Sequence, residues 1–368
     1  MKKIIHFAND EKFIDKAFAA FKQFENTTQS DFYIFNKLSQ LKYIKFKCKV
    51  VENDFFKQTK IEEILNSYDL IVIHFLDSRY FDLLKNNKVK TKIIWIGWGG
   101  DYYWLINTLP YFSVYKNATK KHLGTKDNLL IKSIKKYKYR KRVRLLNRID
   151  FFSPVLEEDY LLIKKNYRDF KPQFIEWNYG NLEDDYIIEG INLEGDAILV
   201  GNSATSTNNH YDVFHIIHQL NLGENQIIVP LSYGERGYKE RFKMFLTQQG
   251  YMNNNIVLLE DFVPFVKYQQ LLSKCGNVFM GHIRQQAMGN IIFLLYLGAK
   301  IFFFKESIAY QYFQKKGILV FSYDDLKKDL ELLNKPLNLE VINNNRKTLI
   351  QYWGRDINRK FTSKIIDL

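Results

Sequence analysis

Cysteine is scarce in this sequence. The 368 residues include two cysteines, Cys48 and Cys275, which lie in different halves of the chain. Two distant cysteines do not make a disulfide framework, so we expect a reduced, cytosolic setting and a fold held by its apolar core. Hydrophobic residues make up 46% of the chain, which is enough for two domains with full cores.

Long apolar runs are also missing. No stretch approaches the roughly 20 apolar residues of a membrane span, and the most apolar one, residues 291–304, is interrupted by Gly298 and Lys300. The apolar run at the N-terminus, Met-Lys-Lys-Ile-Ile-His-Phe-Ala, is too short for a signal peptide. We therefore expect a protein that is soluble or attached to a membrane peripherally.

Cofactor and nucleic-acid motifs are missing as well. No G-x-G-x-x-G follows a predicted strand, which disfavours a dinucleotide-dependent oxidoreductase. The seven histidines are scattered, and the acidic pairs Asp184-Asp185 and Asp324-Asp325 fall in turn or helix-start contexts, so we expect no metal and no other cofactor. No recognised nucleic-acid module is visible, and nucleic acid is not an expected partner.

Short apolar strands that alternate with helices are abundant. Residues 68–75 form a near-continuous apolar run, as expected of a central parallel strand. The alternation occurs twice, before and after an acidic, turn-rich linker at 180–194. It predicts an α/β protein with two Rossmann-like, doubly wound parallel-sheet domains. We place the domains at 1–182 and 183–340, followed by a C-terminal helix at 341–368 that packs back on the first domain.

Positive charge is in excess and concentrated in one segment. The chain has 54 basic and 40 acidic residues, a net charge of +14, which suggests an anionic partner. Residues 120–148 are crowded with Lys and Arg, and their only acid is Asp127. The segment is either a solvated basic helix or, as we favour, a surface for anionic lipid, where each basic residue contributes about 1 kcal/mol. Nucleic acid is the least favoured interpretation.

One stretch, residues 281–298, combines the features of an anion site. A polar turn with Arg284, Gln285 and Gln286 precedes an apolar helix that opens at Gly289. The free N–H groups and the dipole of a helix N-terminus attract anions, and the arginine fork matches phosphate. Gly289 would let a ligand approach the backbone closely. The pattern predicts a diphosphate pocket or, alternatively, an ordinary strand-to-helix connection with a solvated arginine.

Polar residues also follow the predicted strands of the N-terminal domain. Ligands of doubly wound sheets bind beyond the carboxyl ends of the strands. The residues placed there are His6, Asn9, Asp10, His74, Asp77 and Asp101. Together with a diphosphate pocket, they leave three function classes open: a glycosyltransferase that uses a nucleotide sugar, a nucleotide-sugar epimerase of the same architecture, and a non-catalytic nucleotide-binding protein.

A set of motifs carries a more specific resemblance. The motifs are Leu199-Val-Gly-Asn-Ser203, Val229-Pro-Leu-Ser-Tyr-Gly234, Arg284-Gln-Gln-x-x-Gly289 and Trp95-Ile-Gly-Trp-Gly-Gly-Asp101. In order and spacing they resemble the bacterial TDP-N-acetylfucosamine:lipid II transferase family, which builds enterobacterial common antigen. The resemblance implies a GT-B fold whose two domains face a cleft, a TDP-sugar donor and a polyprenyl-diphosphate-linked saccharide acceptor. It also implies peripheral attachment at the cytoplasmic face of the bacterial inner membrane.

The resemblance assigns the donor to the C-terminal domain. Transfer without a metal must neutralise the departing nucleoside diphosphate with positive charge and aligned N–H groups. We give that role to Arg284, with Gln285, Gln286 and the amides near Gly289. The other expected donor-binding residues lie on three loops: Gly201, Asn202 and Ser203; Tyr233 and Gly234; and Glu260, Asp261 and Phe262.

The acceptor is assigned to the N-terminal domain, where an inverting reaction would also need a base. Asp101 is the first candidate because it ends a strand beside two glycines, and His74 is the second. The alternative for His74 is a structural role, because a lone histidine beside an apolar strand is more often buried and hydrogen-bonded than catalytic. Asp10 with Asn9 is the third candidate. The expected acceptor-binding residues are Asn9, Asp10, Trp98, Gly99 and Gly100, with Trp98 as a stacking platform.

Overall fold

The computed structural model describes residues 1–37, 40–126, 128–220, 222, 225–253 and 255–368. Asp127, the acid predicted within the basic segment, lies outside these residues. The chain divides into two compact units. Unit 1 is Met1–Phe112, Asn128–Asn181 and Trp353–Leu368, and unit 2 is Ser113–Asp127 and Leu182–Tyr352.

The strands of both units are short and largely buried. In chain order they are β1 Lys2–Asn9, β2 Thr28–Phe35, β3 Lys49–Val51, β4 Leu70–His74, β5 Lys92–Ile96, β6 Phe151–Ser153, β7 Gln173–Phe174, β8 Ile198–Val200, β9 Ile227–Pro230, β10 Ile256–Leu259, β11 Asn277–Met280, β12 Lys300–Phe303 and β13 Phe321–Ser322.

Helices connect most of these strands. In chain order they are α1 Ile14–Lys22, α2 Ile61–Leu65, α3 Tyr80–Lys85, α4 Tyr103–Ile106, α5 Asn117–Leu123, α6 Leu129–Leu146, α7 Glu157–Asn166, α8 His210–Leu220, α9 Arg236–Gln248, α10 Phe265–Leu272, α11 Met288–Leu297, α12 Ile308–Lys315, α13 Tyr323–Lys328, α14 Glu331–Asn334, α15 Leu339–Trp353 and α16 Arg355–Ile366. Among the described residues, no helix is both long and apolar enough to span a bilayer.

Each unit contains one parallel sheet, which confirms the predicted doubly wound α/β class. In unit 1 the order is β3-β2-β1-β4-β5-β6-β7, and in unit 2 it is β10-β9-β8-β11-β12-β13. Every residue of β4 is buried, because the connecting helices cover both faces of such a sheet. The strand order reverses between β1 and β4 and between β8 and β11. These are the switch points where doubly wound sheets bind ligands.

The units differ from the predicted domains in two places. The basic segment 120–148 is divided, because its first part belongs to unit 2 and α6 belongs to unit 1. The backbone N–H groups of Ala118 and Thr119, at the start of α5, donate to the Asp212 carboxylate of α8 at 2.8 and 2.9 Å. At the C-terminus only α16 and the residues beside it belong to unit 1, where α16 contacts α1, whereas α15 belongs to unit 2 up to Tyr352.

Candidate active site

The loops that follow β8 and β11 are joined at the switch point of unit 2. The buried side-chain amide of Asn209 donates to the carbonyl oxygens of Gly281, at 2.9 Å, and Thr207, at 3.2 Å. It also donates to the Val114 carbonyl at 3.0 Å, so residues from three parts of the chain meet at one side chain. Because the two loops share this amide, the polar residues on them are held together.

A network of neutral side chains lines this junction. Gln286 Nε2 donates to Asn202 Oδ1 at 2.9 Å, and Asn202 Nδ2 donates to the Tyr233 hydroxyl at 2.8 Å. Thr207 Oγ1 donates back to Gln286 Oε1 at 2.7 Å. The structure therefore brings Asn202, Tyr233 and Gln286 together, three of the residues expected to bind the donor. Ser203 lies beside them, with its hydroxyl 3.0 Å from that of Thr205.

Arg284 lies on the same junction, at the start of α11. Its Nε donates to Gln286 Oε1 at 3.2 Å. The N-cap residue of α11 is Ala287, which has a φ of 57° and makes no side-chain hydrogen bond to the first turn. His282 Nδ1 donates to the Arg284 carbonyl at 3.0 Å, and burial lowers the pKa of His282 to about 3, so this ring is a neutral support. Gln285 is also buried beside Arg284.

Three glycines predicted to bind the donor also have a packing or backbone role. At Gly289 an added Cβ would lie 3.2 Å from a ring carbon of Tyr186, so contact with a neighbouring side chain is by itself a reason for the small residue, and its role at the ligand stays a prediction. At Gly201 the φ is 66° and an added Cβ would lie 2.6 Å from His210 Nε2. Gly234 is equally constrained by the backbone of Ala204, 2.7 Å from the position of its Cβ.

The third predicted donor loop follows β10 and differs from the expectation. Glu260 accepts hydrogen bonds from Lys243 Nζ at 2.8 and 3.0 Å, and Lys239 Nζ is 3.5 Å away. The hydrogen bond from Lys243 lowers the pKa of Glu260, so the carboxylate is neutralised within the protein. Asp261 is exposed, and the Phe262 side chain is 84% exposed.

Asp101 is buried in unit 1 and makes four hydrogen bonds. It accepts from Trp95 Nε1 at 2.7 Å and from the backbone N–H groups of Leu76, Trp98 and Gly99 at 3.0, 2.9 and 3.1 Å. Burial raises its pKa to about 6. Because both oxygens already organise the turn after β5, these contacts argue against the predicted role of Asp101 as the base.

His74 is a buried structural residue, the commoner fate of a lone histidine. Its Nε2 is 3.0 Å from His6 Nδ1, and its Nδ1 is 2.6 Å from the Tyr179 hydroxyl. Burial lowers the pKa of His74 to about 3. A ring of such weak basicity, with both nitrogens engaged, does not suit a general base. Tyr179 also accepts a hydrogen bond from Trp98 Nε1 at 2.8 Å.

The remaining residues predicted to bind the acceptor also stabilise loops of unit 1 through hydrogen bonds or backbone conformation. Asp10 accepts from the backbone N–H groups of Lys42, Tyr43 and Ile44, which argues against the third candidate base. Asn9 Oδ1 accepts from Arg79 Nη2 at 2.5 Å. Gly99 has a φ of 101°, and an added Cβ at Gly100 would lie 3.4 Å from the ring of Phe75.

Arg79 is a switch-point residue that the sequence interpretation missed. Its Nε donates to both oxygens of Asp77 at 3.0 Å, and its Nη1 donates to Asn53 Oδ1 at 2.8 Å. The guanidinium lies 4.5 Å from the ring centroid of Phe35. The sequence did point to this residue. Arg79 comes two residues after Asp77, and Asp77 was selected because it lies beyond the carboxyl end of β4.

Within the described ranges of the chain, no group of three or more His, Cys, Asp or Glu side chains is arranged to hold an ion. The independence from metal expected from the sequence stays a prediction.

Comparisons with known proteins agree with this architecture. Residues 188–351 match the family model described as 4-alpha-L-fucosyltransferase glycosyl transferase group 56. Similar structures include sucrose-phosphate synthase from Thermosynechococcus elongatus (TM-score 0.66, 8% identity, 100% of this chain and 98% of that chain covered). A trehalose-6-phosphate structure from E. coli, bound with UDP-2-fluoro glucose, has a TM-score of 0.65 at 9% identity, with coverage of 100% and 99%. Anabaena HepE, in complex with UDP and glucose, has a TM-score of 0.63 at 12% identity, with 100% of both chains covered.

At these identities the structural likeness establishes the fold alone, which is that of GT-B glycosyltransferases. The family match covers the segment that holds Asn202, Tyr233, Arg284 and Gln286. It confirms the family resemblance predicted from the sequence. The protein is therefore a glycosyltransferase with a GT-B fold, and its residues 188–351 match the model of the 4-alpha-L-fucosyltransferase group 56 family.

Proposed function

We propose that the protein transfers a deoxyamino sugar, similar to N-acetylfucosamine, from a TDP-sugar to a polyprenyl-diphosphate-linked saccharide. This reaction would serve bacterial surface polysaccharide synthesis. The observation that carries the proposal is the switch point of unit 2, where Arg284, Gln286 and the start of α11 meet. The match to a fucosyltransferase family over the same residues supports the choice of sugar class.

In this proposal the switch point of unit 2 stabilises the leaving group. Negative charge grows on the nucleoside diphosphate as the glycosidic bond breaks. The Arg284 guanidinium and the first N–H groups of α11 offer fixed positive charge and fixed dipoles at one place, which is an effective way to stabilise developing charge. Asn202 and Gln286 hold each other in position, so they need little reorganisation during the reaction.

Unit 1 is proposed to bind the acceptor. The carboxylates of Asp10 and Asp101 and the imidazole of His74 are already used by the fold. We therefore assign no general base among these three residues. Their contribution is to shape the loops at the carboxyl edge of the sheet, which carry Asn9 and Trp98.

Helix α6 supports attachment to an anionic membrane surface. Val143 and Leu146 anchor the helix in unit 1 and are buried, whereas Leu130, Ile134 and Tyr137 are 69%, 46% and 71% exposed. The last three lie at positions i, i+4 and i+7, on one face of the helix. Lys and Arg surround them. Exposed apolar side chains among basic ones are typical of helices that lie in an anionic lipid surface.

The proposed reaction is tested by nucleotide binding and by product analysis. Thermal unfolding with TDP, UDP, GDP or CMP should show the largest stabilisation with TDP, because a ligand stabilises the state that binds it. Incubation with a TDP-sugar should then yield a glycosylated product only when the lipid-linked acceptor is present. Conversion of the sugar nucleotide without acceptor would instead indicate an epimerase. Nucleotide binding without any turnover would indicate a non-catalytic protein.

The membrane surface is tested separately by co-sedimentation with phosphatidylglycerol-containing vesicles. Binding should fall with added salt, since surface charges are screened, and should weaken in a variant with Leu130→Gln, Ile134→Gln and Tyr137→Gln. Leu161→Gln in α7 is a matched control, because Leu161 is 48% exposed in the same unit. Equal sedimentation of both variants would exclude α6 as the docking surface.

A further inference from the structure

Four aromatic rings gather at the carboxyl edge of the sheet in unit 1. Phe13 lies between β1 and α1, Phe75 follows β4, Trp98 follows β5, and Tyr179 follows β7. The ring centroid of Trp98 is 5.9 Å from that of Phe13, 5.4 Å from Phe75 and 5.7 Å from Tyr179. The strands β1, β4 and β5 are neighbours in the sheet, so three of these rings come from adjacent strand ends.

Hydrogen bonds fix the orientation of two of the rings. Trp98 Nε1 donates to the Tyr179 hydroxyl, and this hydroxyl is bonded to His74 Nδ1. His74 is tied in turn to His6. The two buried histidines, which have no catalytic role in the proposed reaction, therefore act as the support of Tyr179 and Trp98.

Phe75 is held in a costly backbone conformation. Its φ is 70°, in a region that bulky residues rarely occupy and that occurs most often at functional sites. The backbone N–H of Phe75 donates to the Ile96 carbonyl at 3.0 Å, and its ring lies against the position that a Cβ of Gly100 would occupy. In this conformation the centroid of the Phe75 ring lies 5.4 Å from that of Trp98.

The rings remain accessible although the residues beneath them are buried. Phe13 is 39% exposed, Phe75, Trp98 and Tyr179 are partly exposed, and His6 and His74 are fully buried. Binding sites for small polar molecules combine an aromatic wall with a few fixed polar groups. Here Asn9, positioned by Arg79, is the last residue of β1 and precedes the loop that carries Phe13.

We propose that Phe13, Phe75, Trp98 and Tyr179 form an aromatic wall on which the saccharide of the acceptor stacks. This inference rests on the proposed function, which makes unit 1 the acceptor domain. The C–H face of a pyranose ring matches the face of an aromatic ring, and rigid rings lose little conformational freedom on binding. A wall fixed by hydrogen bonds suits a sugar of defined shape better than a flexible polyprenyl chain. Phe13, Phe75 and Tyr179 are thereby added to Trp98 as determinants of acceptor specificity.

The test is binding of the protein to an array of immobilised mono- and disaccharides that includes N-acetylhexosamines and uronic acids. The unmodified protein should bind at least one sugar, and Phe13→Ala should weaken that binding at least about tenfold. Phe75→Asn should do the same without loss of melting temperature, since Asn tolerates a positive φ. Tyr43→Ala is the control, because Tyr43 is 37% exposed in the same unit. Failure to bind any sugar, or equal binding by Phe13→Ala, would overturn the aromatic wall.

A transfer assay separates this inference from the proposed function. If both are right, Phe13→Ala raises the KM for the lipid-linked acceptor at least about tenfold, with the KM for the TDP-sugar unchanged. If the protein binds sugars through these rings but never transfers one, the aromatic wall is supported and the proposed function is rejected. Transfer with unchanged acceptor KM in Phe13→Ala would retain the function and reject the wall.

Discussion

The two switch points share one topology and differ in chemistry. Both sheets reverse their strand order once, between β1 and β4 in unit 1 and between β8 and β11 in unit 2. The edge in unit 2 is lined by amides, hydroxyls and an uncapped helix start, whereas the edge in unit 1 is lined by aromatic rings above two buried histidines. Strand order therefore sets the place of each site, and the loop residues decide which ligand each site suits.

Each switch point also has an arginine, and their surroundings differ. Arg79 donates to both oxygens of the Asp77 carboxylate, while the Nε of Arg284 donates to the neutral amide oxygen of Gln286. A guanidinium paired with a carboxylate inside the protein is largely neutralised. The carboxylate partner of Arg79 assigns this arginine to the stability of unit 1, whereas binding of the donor's phosphates by Arg284 stays a proposal.

The largest expected effect is at Arg284. Arg284→Ala should lower kcat by about 10²- to 10³-fold, the usual loss when one group that stabilises developing charge is removed. Arg284→Lys should retain part of the rate that Arg284→Ala loses, because lysine keeps the positive charge but lacks the planar, two-pronged guanidinium. Initial transfer rates at saturating donor and acceptor provide the measurement. Arg168→Ala, at an exposed position in unit 1, is the control, and near-normal turnover in Arg284→Ala would remove the basis of the proposed reaction.

The next effect concerns the pH dependence of stability in unit 1. Burial raises the pKa of Asp101 to about 6 from an ordinary 3.8, so the folded protein holds this proton more tightly than the unfolded chain. The stabilising contribution is complete below about pH 4 and is lost as the pH rises through about 6, a total of about 3 kcal/mol. Asp101→Asn does not titrate and should lack this change.

Urea unfolding of both proteins between about pH 4 and pH 7 measures the Asp101 contribution. The free energy of unfolding of the unmodified protein should fall relative to that of Asp101→Asn as the pH rises. A constant difference across this range would mean that the four hydrogen bonds to Asp101 fully compensate its burial.

A smaller effect is expected at Arg79, the counterpart of Arg284. Arg79→Leu removes the guanidinium that donates to the Asp77 carboxylate and to the amide oxygen of Asn9, and leaves the Asp77 carboxylate with the backbone N–H of residue 79. The loss should lower the free energy of unfolding by about 1–3 kcal/mol. TDP binding should not change, because the three hydrogen-bonding partners of Arg79, which are Asp77, Asn53 and Asn9, lie in unit 1. Calorimetric unfolding combined with a TDP titration checks both statements, and weakened TDP binding with normal stability would reverse the assigned roles of the two arginines.

Local sequence patterns predicted the fold, because strands and helices depend on short-range signals; the donor-binding role of the edge in unit 2 stays a prediction. The apolar run before His74 and the polar turn at Arg284 are readable within a few residues. The hydrogen bond between Asn202 and Gln286 was not predicted, although the two loops that carry these residues were each expected to bind the donor and follow the neighbouring strands β8 and β11.

Several hydrogen-bond partners of the other predicted site residues are distant in the sequence and could not be predicted from it. Asp10 is engaged by backbone amides more than 30 residues away, and Asp101 by Leu76. Glu260 is neutralised by Lys243, which lies on α9. A sequence shows that a carboxylate follows a strand, but not which donors the packed loops bring to it. The division of segment 120–148 between the units has the same cause, because Asp212 of α8 caps α5.

The smallest effect separates packing from ligand binding at Gly289. In Gly289→Ala the new Cβ would lie 3.2 Å from the Tyr186 ring, which costs stability. Alanine is better than glycine in a helix by up to about 1 kcal/mol. The two contributions to the free energy of unfolding should nearly cancel, and TDP affinity should stay the same.

A second variant, Tyr186→Leu, removes the ring. In this background Gly289→Ala should become stabilising, because the effects of substitutions at contacting residues on the free energy of unfolding are not additive. Urea unfolding and TDP titration of the four proteins measure both quantities. Equal loss of TDP affinity in both backgrounds would restore the original interpretation, in which Gly289 makes room for the phosphates.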